Sequence, residues 1–350
     1  MPTRRHSNVL LRRLQRRAIM PAMSGTEGEL PDERTLKDSA ARLLEHIHRT
    51  PLLSSRTLGE HCGGRVFLKA ENLQRAGSFK IRGALNSCLN ARDAARIGDG
   101  GVLTYSSGNH GQAVALAARL IGCPATVVVP EDIPGVKEAA ILGYGARIVR
   151  CGLTSEDRHR KALEIEGETG ACVIAPFDHV DTIAGQATVG REIVEQLPEV
   201  DTIIVPVGGG GLLAGIALAA RSQPAKPRVI GVEPETANAM YLSLEAGRKV
   251  TLTAPPQTVA DGLRPLAPGD LTLLATQRHV ERVVLVNDDE ILRAQRLLLE
   301  RAKLFVEPSG AASVAALLRY SREFRGKTVV VVLSGGNAEI PAFEPARRAG

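Results

Sequence analysis

The chain has 350 residues, 44% of them hydrophobic and 3% aromatic, with a formal net charge of +6. This length allows two lobes with a substantial core. No apolar run reaches the roughly 18 residues that span a bilayer, so a soluble protein is expected. The positive charge is local: Arg4, Arg5, Arg12, Arg13, Arg16 and Arg17 fall within residues 1–26, which hold no acid, and the remainder is neutral. A neutral body with few aromatics argues against nucleic acid as a partner. Cys62, Cys88, Cys123, Cys151 and Cys172 form no Cys-x-x-Cys pair. That spacing fits reduced thiols in a cytoplasm better than a zinc knuckle or a disulfide frame.

Residues 1–33 read as a basic extension ahead of the fold. Residues 36–48 carry apolar side chains at helical spacing and stop before Thr50-Pro51, since proline cannot continue a helix. A strand over 66–68 follows, then a helix over 81–89, a strand over 102–105, a helix over 112–121 and a strand over 125–129. The alternation continues with helix 135–142, strand 147–150, helix 155–168, strand 172–175, helix 183–197, strand 202–207, helix 212–221 and strand 229–232. Short β-branched runs separated by helices predict an α/β protein with mostly parallel sheets covered on both faces. Residues 250–288 are rich in proline and weakly periodic. Helices over 289–303 and 309–320 and a strand over 328–333 complete the pattern, which leaves no C-terminal regulatory domain to expect.

Four stretches carry chemistry. In Ala76-Gly77-Ser78-Phe79-Lys80-Ile81-Arg82-Gly83-Ala84, a lysine stands at the mouth of a helix just after a Gly-Ser break. A partly desolvated lysine amine can lose its proton near neutral pH and attack a carbonyl. Gly208, Gly209, Gly210 and Gly211 lead from a strand into a helix at Leu212. Successive amides there, with the helix N-terminus behind them, make a cradle for phosphate. Gly209, Gly211 and Ala214, with Glu233 ending the next strand, also match a dinucleotide-binding turn, so an NAD-dependent oxidoreductase stays open at this point. Ser106, Ser107, Gly108, Asn109 and His110 form a second strand-to-helix junction suited to a carboxylate, and Ser334-Gly335-Gly336-Asn337 ends the last strand. Two further anion loops and a loop-borne lysine have no use in a nicotinamide enzyme. An amino-acid substrate with a phosphate-bearing aldehyde cofactor has a use for each.

These stretches, with Arg49-Thr50-Pro51-Leu52, Val129-Pro130-Glu131-Asp132, Ile183-Ala184-Gly185-Gln186, Gly231-Val232-Glu233-Pro234, Ala260-Asp261-Gly262 and Glu307-Pro308-Ser309-Gly310, stand in one order over residues 35–340. In that order the chain resembles the pyridoxal-phosphate-dependent threonine/serine dehydratase and serine racemase family. The resemblance implies the type II fold of such enzymes: a large cofactor-binding domain from residues 34–100 and 178–350, a smaller domain from 101–177, and an active site between them. It implies that Lys80 holds pyridoxal phosphate covalently and serves as base at the substrate Cα. Phe79 packs beside the ring, Asn109 meets the ring's phenolic oxygen, Gly208 to Gly211 and Leu212 take the phosphate, and Ser334 meets the ring nitrogen. Ser106, Ser107, Gly108, Asn109 and His110 receive the substrate carboxylate, and Ser107 matches the position that supplies a proton on the opposite face in racemases. A hydroxyl at the ring nitrogen favours prompt loss of a β-leaving group.

The function expected is therefore β-elimination from L-threonine, L-serine or a related β-hydroxy amino acid by a cytoplasmic homodimer, with serine racemisation as the alternative. A cation would sit at Glu233 and the carbonyl of Ala237, but Ala239 stands where metal-binding relatives have an aspartate. Pro265 replaces a hydroxyl residue near the racemase pocket, Ala187 takes a usual glycine position, and Arg158 sits where some relatives reach the site mouth.

Overall fold

Two runs, Thr202–Pro206 (β7) and Thr328–Leu333 (β10), are buried at every position. A strand that is apolar on both faces needs cover on both, and these two form the centre of a six-stranded sheet. The computed structural model describes residues 29–339 apart from Ser107, Pro134, Thr154, Ala225 and the side chain of Ser155. In order across the larger sheet lie Leu52–Ser54 (β1), Arg65–Ala70 (β2), β10, β7, Arg228–Pro234 (β8) and Arg282–Val286 (β9). Only β1 runs antiparallel, pairing Leu53 with Leu68. The parallel register sets Leu333 beside Ala70 and Pro206 beside Val232, so these strands leave the sheet at one edge. A second, wholly parallel sheet runs Arg147–Arg150 (β5), Ala125–Val129 (β4), Val102–Thr104 (β3) and Cys172–Val173 (β6).

The helices are Glu33–Leu43 (α1), Arg56–Cys62 (α2), Lys80–Asp93 (α3), Asn109–Ile121 (α4), Gly135–Gly143 (α5) and Ser155–Thr169 (α6), followed by Val180–Gln196 (α7) and Gly211–Arg221 (α8). Ala239–Ala246 (α9), Asp270–His279 (α10), Asp288–Leu297 (α11) and Pro308–Arg319 (α12) complete the described residues. Helix α3 joins the two sheets. Its Ile81, Ala84, Leu85, Cys88 and Leu89 pack with α4 and β4 over the smaller sheet. Its other face lies against α7 so closely that a Cβ on Gly83 would stand 2.4 Å from the Gln186 side chain, and one on Gly185 would stand 2.5 Å from the Arg82 carbonyl. Only glycine permits that approach.

The alternation expected from sequence is present, with instructive departures. Helix α1 starts early because the Asp32 side chain accepts the Thr35 N–H. It ends at Leu43, since the backbone of His48 instead bonds the Gln74 side chain in both directions. Strand β6 stops at Val173 because the Ile174 and Ala175 carbonyls accept from the His110 ring and the Thr182 hydroxyl. The helix expected over 289–303 breaks after Leu297 into a wide turn over 298–302, with Lys303 left-handed at φ 60°. Elements β1, α2, α9, α10 and β9 were not expected; the last two lie in the proline-rich stretch and gain their stability from the sheet edge and from α8. Residues 1–28, expected as an extension, lie outside the described residues.

Candidate active site

Lys80 opens α3, two residues past the short bridge that joins Ser78 to Gly335. Its Nζ donates to the Pro176 carbonyl at 2.8 Å and lies 5.1 Å from the centre of the Phe79 ring. Desolvation lowers the pKa of the amine to about 8, against a smaller opposing pull from the Glu307 carboxylate. A share of it is thus neutral and nucleophilic near neutral pH. The Phe79 N–H donates to the Ser334 carbonyl at 3.1 Å, so the end of β10 is stitched to the lysine segment as the parallel register requires. Ser334 itself is buried.

The glycine loop follows β7 at the same edge. Gly210 takes φ 93°, a conformation closed to most residues with a side chain. A Cβ there would stand 2.7 Å from the Met240 side chain, and one on Gly209 would run into the Phe177 ring at 2.4 Å. The Thr272 hydroxyl donates to the Gly209 carbonyl at 2.7 Å. Asp178 in turn accepts from the amides of Asp270, Leu271 and Thr272 at the head of α10. Residues 176–178 therefore touch both Lys80 and the glycine loop. Among the described residues, the amides of Gly208 to Leu212 donate to no protein acceptor. Backbone donors in a folded interior are rarely left so, and a row of them at a helix N-terminus suits an anion.

On the facing sheet, β3 delivers Ser106, Gly108, Asn109 and His110; Ser107 lies outside the described residues. His110 is buried, with Nε2 at 3.0 Å from the Ile174 carbonyl and Nδ1 without a partner among the described residues. Burial and then the charge of Lys80 push its pKa down to about 3, so the ring is neutral. Because a carbonyl only accepts, the proton sits on Nε2, which leaves Nδ1 as an acceptor. The Asn109 side chain donates to Glu307 Oε1 at 2.7 Å and accepts from Asn337 Nδ2 at 2.9 Å.

Glu307 was quoted in a motif but given no role by the sequence. It occupies the position before α12, where Pro308 starts the helix, yet its side chain does not cap that helix. An acid just before the proline that starts a helix is the one local signal, and it reads equally well as a helix cap. Burial, with the nearby Asp261 second, pushes its pKa up to about 8. Pro176, Phe177, Asp178 and Thr272 carried no signal at all, since their contacts exist only in three dimensions.

The cation expectation rests on Glu233. Its two oxygens accept the Met240 and Tyr241 amides at 3.0 and 2.8 Å, at the start of α9. Burial pushes the Glu233 pKa up to about 8 in spite of these donors. The same bonds occupy the oxygens that a nucleotide ribose would need. No cluster of three or more His, Cys, Asp or Glu side chains that could hold a metal occurs among the described residues. Arg158 has its Nη1 at 3.3 Å from the Leu153 carbonyl. The Pro265 ring abuts Gly208, its Cδ 3.3 Å from where a Cβ on that glycine would lie.

Comparison with known proteins gives the family of the chain. A model of the family described as "pyridoxal-phosphate dependent enzyme" matches residues 43–335. An L-threo-3-hydroxyaspartate ammonia-lyase of Saccharomyces cerevisiae is 40% identical over 314 residues, 90% of this chain and 95% of that protein. An L-threonine ammonia-lyase of Thermotoga maritima is 42% identical over 305 residues, 87% of this chain and 75% of that protein. The structure of maize serine racemase superposes with a TM-score of 0.86 at 39% identity, over 89% of this chain and 95% of that one.

Proposed function

Since the chain belongs to the family of pyridoxal-phosphate-dependent enzymes, we propose that it is an ammonia-lyase acting on L-threonine, L-serine or a related β-hydroxy amino acid. Water and ammonia leave the substrate, water returns, and a 2-oxo acid is the product. The observation that carries this reading is the Lys80 amine, part-buried beside Phe79 at the start of α3, with its pKa lowered to about 8. The site fits the cofactor: among the described residues it has a row of unclaimed amides for a phosphate, a lysine for an aldehyde, and two buried polar atoms, Ser78 Oγ and His110 Nδ1, without a protein partner.

In this reading Lys80 Nζ would hold the cofactor, and the amides of Gly208 to Leu212 would hold its phosphate. When bound, pyridoxal phosphate supplies an electron sink for the pair left at the substrate Cα. Lys80 Nζ would take the Cα proton and hold it. Ser106, Gly108, Asn109 and His110, with Ser107, orient the substrate carboxylate. Phe79 would cover the ring and Ser334 would offer its nitrogen a neutral hydroxyl. The membership of the two sheets supports a larger domain of residues 34–100 and 178–350 facing a smaller one of residues 101–177. A homodimer in the cytoplasm belongs to the same reading, and sedimentation of the purified protein checks the assembly.

The test is a panel of β-hydroxy amino acids, scored for ammonia and 2-oxo acid. The purified protein should be yellow, and Lys80→Ala should fold, lose the borohydride-sensitive yellow band and lose essentially all turnover. Lyase activity that survives this substitution would refute the role of Lys80. The likeness to maize serine racemase favours a second reading, racemisation at the same site; D-serine made from L-serine without matching ammonia would put it first.

A further inference from the structure

A polar chain crosses the site from a backbone carbonyl to a buried carboxylate. The Ala76 carbonyl accepts from Asn337 Nδ2 at 2.7 Å, and the same nitrogen donates to Asn109 Oδ1 at 2.9 Å. Asn109 Nδ2 then donates to Glu307 Oε1 at 2.7 Å. The direction of every bond follows from the first, because a carbonyl can only accept. That fixes which end of Asn337 is the nitrogen, hence that Asn109 presents its oxygen to Asn337 and its nitrogen to Glu307. A flipped Asn109 would set nitrogen against nitrogen and oxygen against oxygen.

Two glycines make room for the arrangement. A Cβ on Gly77 would lie 2.3 Å from Asn337 Oδ1, and one on Gly335 would lie 2.6 Å from Glu307 Oε1. An alanine at either place would push a member of the chain out of position.

We propose that Glu307 and Asn337 are positioning residues that lock the Asn109 amide so that its second N–H, rather than its carbonyl, is presented to the phenolic oxygen of the cofactor. This rests on the cofactor reading above. An N–H donor stabilises the proton-free form of that oxygen, and a carbonyl there would stabilise the protonated form. The two forms absorb at different wavelengths, so the orientation of one amide can be read in the spectrum of the holoenzyme.

The experiment compares the absorption spectra and kinetics of holoenzyme carrying Asn109→Ala, Glu307→Ala, Glu307→Gln, Asn337→Ala and Gly335→Ala. Asn109→Ala should shift the balance of bands towards the shorter-wavelength form. Glu307→Ala, Asn337→Ala and Gly335→Ala should shift it the same way, with kcat/KM lower by on the order of tenfold or more. Glu307→Gln keeps an acceptor oxygen and should retain the wild-type spectrum. The double variant Asn109→Ala with Glu307→Ala should change no more than Asn109→Ala alone. If Glu307→Ala does not fold, Glu307→Asp breaks the same 2.7 Å bond and carries the test. Wild-type spectra in the Glu307 and Asn337 variants, or shifts that add to that of Asn109→Ala, would overturn the proposal. A wild-type protein that never takes up the cofactor would instead overturn the reading on which it rests.

Discussion

At the scale of single residues, the site is a set of ionisable groups moved off their ordinary values by burial. Lys80 shows the consequence most directly. Its pKa falls from 10.5 in the unfolded chain to about 8 in the fold, so between these values the unfolded state binds more protons. Stability of the cofactor-free protein therefore rises with pH across that window, and the cost of the buried charge is fully present below pH 8. Two outcomes follow. Cofactor uptake should accelerate with pH and reach half its limiting rate near pH 8, which stopped-flow absorbance would measure. Lys80→Met should stabilise the cofactor-free protein at pH 7 and flatten the rise above pH 8 in urea titrations. An uptake midpoint above pH 10 would show that the amine is not desolvated.

At the scale of elements, each functional loop is held by an element remote from it in sequence. The glycine loop shows how this works: it is shaped by β7 and α8, but its floor is Phe177 and its back wall is Thr272, itself set by Asp178. The left-handed Gly210 is the point where the loop turns into the helix. Gly210→Ala should cost about 1–3 kcal/mol of stability from backbone strain, before any displacement of Met240 and Thr272. The more telling effect is on the amides, which would turn away from their common target. Equilibrium titration should show weaker cofactor binding in Gly210→Ala, while the packing contacts of Phe79 and the lowered pKa of Lys80 remain. Unchanged affinity would mean that the loop does not hold the phosphate.

At the scale of the whole molecule, the active edge is tied together by a buried group of charges behind α3. Arg82, two residues past Lys80, donates to Glu71 through Nε and Nη2 at 2.8 Å each and to Glu192 on α7 at 2.6 Å. Lys69 on β2 donates to Glu192 at 2.5 Å and to the Thr50 carbonyl at 2.9 Å. Two cations and two carboxylates balance, so the group tolerates burial only as a set. Removing one member strands the others, and Glu192→Gln or Arg82→Met should each destabilise the protein by about 3–5 kcal/mol in urea unfolding. Because α3 bridges the two sheets, lysine placement and global stability should fail together here, unlike the Glu307 and Asn337 variants. A loss below about 1 kcal/mol would show that the charges are solvated rather than buried.

How much of this was legible beforehand depends on the range of the interaction. Strands β4, β5 and β10 were read with their observed bounds because β-branched residues grouped in a short run after a helix or turn are a local signal. The lysine segment and the three glycine- or serine-rich loops stand out in the sequence for a similar reason: each is a pattern of neighbouring residues. Elements β9, α9 and α10 were not, since they have weak periods of their own and form against a sheet edge that already exists.

The sequence by itself determined the inventory: a lysine at a helix mouth, a row of glycines suited to an anion, a serine- and glycine-rich junction suited to a carboxylate, and the alternating order that makes parallel sheets. The tertiary structure alone decided which of these meet. Ala76, Asn109, Glu307 and Asn337 form one chain of hydrogen bonds across sequence separations of 198, 228 and 261 residues. No local pattern encodes such pairings, because hydrogen bonds act over about 3 Å in space and the fold sets which loops come that close.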